Sequence, residues 1–150
     1  MDRNEALVSL DAVSQTDRKM AQKMHWPFWR HALFGIAEGL LVIGLGANGA
    51  IGATAMGGGV TCLLLLMYGD RQRDGMFVSG FKGKRTRPLM WAIMVLVIGS
   101  LALSMFVLKW EEGTNPQVVA LGIGLAVILT GASILWQRLY RAELRVGASQ

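Results

Sequence analysis

One cysteine, three prolines, two histidines and a 17% share of charged residues are what this 150-residue chain has least of. Each shortage excludes something. The lone thiol, Cys62, can form no intrachain disulfide and has no partner for a metal site. In its apolar run it reads as a small buried hydrophobe. Soluble domains carry about 25% charged residues, so the low charge and a mean hydropathy of +0.41 exclude an ordinary soluble globule. Residues 1–30 mix both charge signs and lack the apolar core and small-residue cleavage site of a secretory signal. The first apolar span is therefore expected to act as an uncleaved insertion signal.

Catalytic sets are missing as well. His25 and His31 flank Pro27 with no acidic neighbour in sequence, and they read as polar anchors. Ser100, Ser104 and Ser133 have no histidine at membrane depth to activate them. No HExxH motif and no paired intramembrane aspartates occur. The expectation is a non-enzymatic protein with no metal and no cofactor.

What the chain does have is apolar residues, 53% of the total, and 19 glycines clustered inside apolar stretches. Helices in lipid tolerate glycine because small residues let neighbouring backbones come close. Four stretches approach the roughly 20 apolar residues that cross a bilayer: about 32–47, 50–68, 89–108 and 118–136. The fold class predicted is an all-α integral membrane protein, a four-transmembrane-helix bundle over 31–137. "GANGAIG", Gly46–Gly52, supplies glycine and asparagine for the positive φ of a tight reversal, so the first two spans form a hairpin. The last span is expected to continue as a helix through Trp136–Arg145 into a basic tail, 138–150.

An N-terminal amphipathic interfacial helix is predicted before the first span. Leu7, Leu10, Val13, Met20 and Met24 recur at spacings of three, seven and four, which places them on one helical stripe. "HWPFWRH" follows, with Trp26, Phe28 and Trp29 where aromatics favour the membrane–water boundary and Pro27 as a helix breaker. The stripe suits the inner leaflet of a bilayer, or a partner protein.

Fourteen of the 15 Lys and Arg residues lie in segments 1–31, 70–88 and 138–150. Positive charge collects on the cytoplasmic side, so both termini and the basic loop 69–88 are expected there, in the inner membrane of a bacterial-type cell. "FKGKRTRP" carries Lys82, Lys84, Arg85 and Arg87. With Trp26, Trp29 and Arg30 these are the candidate contacts to anionic lipid head groups. The same positive-inside rule accounts for the charge by itself. Nucleic-acid binding needs a folded module that a loop of this length does not supply.

Small residues repeat every four positions at Gly35/Gly39, Ala53/Gly57, Ala55/Gly59, Ala120/Gly124 and Gly122/Ala126. Gly35, Gly39, Gly57, Gly59, Gly122 and Gly124 are therefore the candidate helix-packing residues, within the chain or between copies. One charge interrupts the first span: Glu38, in "FGIAEGLLVIGLG". It lies seven residues past His31, or roughly 10 Å deep at 1.5 Å per residue. The same count reaches Thr61 and Thr130 on other spans, with Ser133 one turn nearer the boundary. Intramembrane carboxylates usually face the bundle interior and often serve transport, so Glu38, Thr61, Thr130 and Ser133 form a candidate polar site.

The "IAEGLL" around Glu38 resembles the first span of the small multidrug resistance transporters, short four-helix proteins with an essential glutamate there. That resemblance implies a proton-coupled transporter. It covers one helix and one residue type, and the amphipathic arm and long basic loop depart from that family's plan. The leading expectation is instead a structural, scaffolding or regulatory membrane protein, as a homo-oligomer or as a subunit of a membrane complex.

Overall fold

A computed structural model describes Gln15 and residues 26–74, 86–108 and 115–147, apart from the side chains of 73, 74 and 144–147. The segment of the expected amphipathic helix, together with Lys82, Lys84 and Arg85, lies outside the described residues, apart from Gln15. Among the described residues there are four long helices and no strand. They are α1 (Phe28–Gly46), α2 (Gly49–Asp74), α3 (Thr86–Phe106) and α4 (Pro116–Gly147). Each is long and apolar enough to cross a membrane.

Local chemistry sets the helix ends. Pro27, at φ −69° and ψ 153°, caps α1, and its carbonyl accepts the Arg30 N–H at 3.1 Å. Proline loses nothing there, because the first helical N–H groups have no partner within the helix. The helix thus begins at Phe28, four residues before the expected Ala32, and draws Trp29, Arg30 and His31 into its first turns. Only Ala47 and Asn48 separate α1 from α2, and Gly49 takes φ +62°. That is the positive-φ reversal expected of "GANGAIG". Between α3 and α4, Asn115 does two things. Its Oδ1 accepts the Gln117 N–H at 2.9 Å, and its Nδ2 donates to the Leu108 carbonyl at 2.9 Å. Asparagine at the cap with Pro116 in the first helical position is a favoured helix start. α4 runs through Gly147, as its expected extension requires.

The helices alternate in direction. The start of α1, the end of α2, the start of α3 and the later part of α4 gather at one end. There Arg30 pairs with Asp70, and Leu89 and Met90 pack on Trp136 and Tyr140. At the other end a Cβ on Gly46 would meet Ser104 and Val118. The four helices are not equivalent. α1 touches all three others, α3 also touches α4, and α2 rests almost wholly on α1. The apolar core lies among α1, α3 and α4, where Val42, Leu125 and Leu129 are enclosed by Phe34, Ile93, Val97, Leu101 and Leu121.

Glycines make these contacts possible at a few places. A Cβ on Gly39 would lie 2.5 Å from the Gly122 carbonyl oxygen, and one on Gly122 2.8 Å from that of Gly39. Gly35 lies against the Ala126 carbonyl and the Thr130 hydroxyl in the same seam. On the other side of α1, a Cβ on Gly59 would meet the Ala37 carbonyl at 2.8 Å, and one on Gly44 the Met56 amide at 2.6 Å. Ser104 Oγ donates to the Val42 carbonyl at 2.6 Å and ties α3 to α1. For Gly57 and Gly124 the expectation of packing within the chain is corrected, since among the described residues nothing would meet a Cβ at either. Residues two apart point about 200° apart on a helix. Once Gly59 and Gly122 face α1, Gly57 and Gly124 must face away.

A valine at Gly39 or Gly122 therefore forces the α1–α4 seam apart, at a cost of about 1–3 kcal/mol. Thermal unfolding of the purified protein in detergent should show a lower midpoint for Gly39→Val and Gly122→Val and none for Gly124→Val. Equal midpoints for all three would mean that the seam does not organise the bundle.

Candidate functional site

The densest set of polar and aromatic contacts among the described residues lies where the start of α1 meets the later part of α4. His31, 2% exposed, is its centre. Its Nδ1 lies 2.8 Å from Ser133 Oγ and its Nε2 2.7 Å from Gln137 Oε1. An amide oxygen only accepts, so Nε2 carries the ring hydrogen, and in the neutral ring Ser133 donates to Nδ1. Both nitrogens are thereby satisfied, as a buried imidazole requires.

An aromatic column stands beside this pair. Trp26 stacks on Trp136 with centroids 5.5 Å apart and planes 12° from parallel, and Trp136 stacks on Tyr140 at 5.1 Å and 10°. The Arg30 guanidinium lies 3.4 Å from the centroid of the Trp26 ring. It also forms a forked pair with Asp70, Nε to Oδ1 at 2.7 Å and the terminal nitrogen to Oδ2. Two parallel bonds from a planar guanidinium fix geometry as well as charge, so this pair clamps the end of α2 to the start of α1.

The residues expected at the lipid head groups divide accordingly. Trp29 is 61% exposed and Arg87 is exposed. Trp26 and Arg30 are half-buried and also have partners within the chain, Trp136 for Trp26 and Asp70 for Arg30, which their reading as outward contacts did not include. Once Phe28 starts the helix, Arg30 falls in its first turn, and its guanidinium reaches the Trp26 ring just ahead of the Pro27 cap.

Glu38 is half-buried and, among the described residues, makes no hydrogen bond or ion pair. The expected polar site does not assemble around it. Thr130 Oγ1 donates to the Ala126 carbonyl of its own helix at 2.7 Å, Ser133 is taken by His31, and Thr61 is exposed. Counting residues from the boundary gave depth but not rotation, and rotation decides contact. Glu38 stands about 80° round α1 from the middle of the Gly35/Gly39 seam.

Sequence reasoning passed over Asp70 and Gln137. For Gln137 a signal was present. His31 lies four and eight residues before Gly35 and Gly39, on their face of α1. Ser133 and Gln137 lie seven and eleven residues after Ala126, on its face of α4. Two polar residues and a histidine on faces that small residues bring together are positioned to bond. Asp70 carried no comparable pattern, because its partner lies 40 residues away on another helix.

Removing the acceptor alone leaves a buried N–H unpaired. Gln137→Leu is expected to destabilise by about 1–3 kcal/mol, and pairing it with His31→Phe to recover a large share of the loss. Unfolding titrations in mixed micelles measure both; a double variant as unstable as the sum of the singles means the two side chains are not coupled.

No protein family, curated protein or solved structure matches this chain, so the site is read from its own residues.

Proposed function

We propose that this chain is a non-enzymatic integral protein of the inner membrane that works by assembling with another membrane chain, in a structural, scaffolding or regulatory role. In this reading both termini and the 69–88 loop are cytoplasmic, following the skew of positive charge, and the polar end of the bundle faces that side, in contact with anionic lipid. The observation that carries it is the state of α2. Held almost wholly by α1, it leaves Ala53, Gly57 and Thr61 exposed in one row at four-residue spacing, with Leu64 and Tyr68 beyond them. A row of small residues lets a further helix approach closely in lipid, and among the described residues nothing covers Gly57.

Cys62 is the only cysteine, so a Cys62→Ser background accepts single reporters. Gly57→Cys in native membranes should cross-link under mild oxidation or with a bifunctional maleimide, to a second copy or to another membrane protein. A reporter at Ser149 should react with an impermeant maleimide only after the cells are opened. A Gly57→Cys protein that stays uncross-linked and purifies as a lone single copy sinks the assembly reading. Labelling of Ser149→Cys in intact cells sinks the orientation.

A second reading rests on Glu38. A carboxyl inside a candidate span with no partner among the described residues is free to titrate, which is what a small proton-coupled transporter requires. In proteoliposomes carrying an imposed pH gradient, the wild-type chain would then dissipate the gradient and Glu38→Gln would not. Equal traces from wild type, Glu38→Gln and empty vesicles would dismiss transport.

A further inference from the structure

We propose that the cleft between the start of α1 and the later part of α4 binds a phosphate group, carried by the head group of an anionic phospholipid or by a soluble phosphate. The cleft encloses about 370 Å³ and is lined in part by Trp26, Phe28, His31, Gln137, Arg138 and Arg141. That lies within the range of about 300–1,000 Å³ usual for small-ligand clefts.

The charge of the lining is one-sided. Among the described residues it contains two guanidinium groups and no carboxylate. Asp70, near this end, is engaged by Arg30 through both oxygens. Glu143 projects about 200° round α4 from Arg141, towards the side of Trp136 and Tyr140. Arg138 and Arg141 have no hydrogen-bonding or ionic partner among the described residues, whereas Arg30 nearby is fully paired. Two unneutralised guanidinium groups on one cleft wall make it a place for an anion.

Buried donors point the same way. The Trp26 indole N–H and the Arg141 Nε–H, both on residues lining the cleft, are shielded from solvent and have no acceptor among the described residues. Natural structures seldom leave such donors unpaired. His31 does not supply an acceptor, since its Nε2 and Nδ1 are occupied by Gln137 and Ser133. A tetrahedral phosphate, with several oxygens for planar guanidinium forks, matches this set better than a carboxylate with two. Phe28, 69% exposed, adds an apolar wall at the mouth. That suits the glycerol and upper acyl carbons of a phospholipid whose phosphate lies between the arginines.

The lipid source rests on the membrane reading above, and the experiment separates the two. Full-length protein is first tested for carbonate-resistant membrane association. It is then reconstituted in nanodiscs of phosphatidylcholine with graded phosphatidylglycerol, and bound lipid is counted by native mass spectrometry. Arg138→Gln and Arg141→Gln should each weaken phosphatidylglycerol retention about tenfold, and Arg71→Gln, an exposed arginine at the same end, by no more than about twofold. Arg138 is exposed, so its variant keeps the test decisive where the Arg141 variant folds poorly. Inorganic phosphate is titrated in parallel at constant ionic strength and followed by ³¹P line broadening. Phosphate binding lost in the two variants and retained in Arg71→Gln assigns the cleft to a soluble phosphate, whether or not the chain proves membrane-bound. Variants that hold lipid and phosphate as the wild type does, or an Arg71→Gln protein weakened as much as they are, overturn the site.

Discussion

At Gly39 and Gly122 two helix backbones come within van der Waals contact, each glycine facing the carbonyl of the other. Between apolar surfaces in lipid the hydrophobic effect gives little reason for helices to associate, and close packing must supply it. The contact also fixes a register. With α1 and α4 in touch at these two residues, Gly35 falls against Ala126 and Thr130. One further turn brings His31 between Ser133 and Gln137. A slip of one residue along either helix would carry the imidazole off that face and strand three polar groups. The glycine seam and the histidine pair are therefore one feature, the first setting the alignment and the second penalising departures from it.

The bundle has an unequal internal economy. α1 contributes faces to three neighbours and is the most buried of the four, while α2 is largely exposed. Small residues on opposite sides of α1, Gly39 towards α4 and Gly44 towards α2, allow it to be gripped from both directions. α2 is fastened at its two ends by different means, the two-residue reversal at Ala47–Asn48 and the Arg30–Asp70 fork. Between those ends its outward face depends on what surrounds it.

Hydropathy alone located the four helices, because an apolar run approaching twenty residues, even one interrupted by a single charge such as Glu38, has few other uses in a protein. The reversal at Gly49 and the long α4 were equally legible, the first from glycine and asparagine at the junction, the second from an aromatic and basic continuation without a breaker. Rotation was not legible. A small residue every fourth position marks a face, but Gly57/Gly59 and Gly122/Gly124 mark two faces each, and only the neighbouring helix decides which one is used. The same limit applies to Thr130, at the right depth for Glu38 yet bonded to Ala126, and to Arg30, whose charge suggested lipid and whose partner is Asp70. The contacts of His31 lie 102 and 106 residues away, and only matching the small-residue faces of two distant helices could have pointed to them.

The seam joins the first helix of the bundle to the last. A chain emerges from the ribosome N-terminus first, so α1, which ends at Gly46, and α2, which ends at Asp74, are both complete well before Gly122 exists. Throughout that interval Gly35 and Gly39 lack the α4 backbone that later covers them, and the His31 imidazole has neither of its partners. A growing chain in that state displays the same close-contact surface that its own α4 later covers. Its assembly is thus a matter of timing, and whatever helix reaches α1 before α4 competes for the same seat.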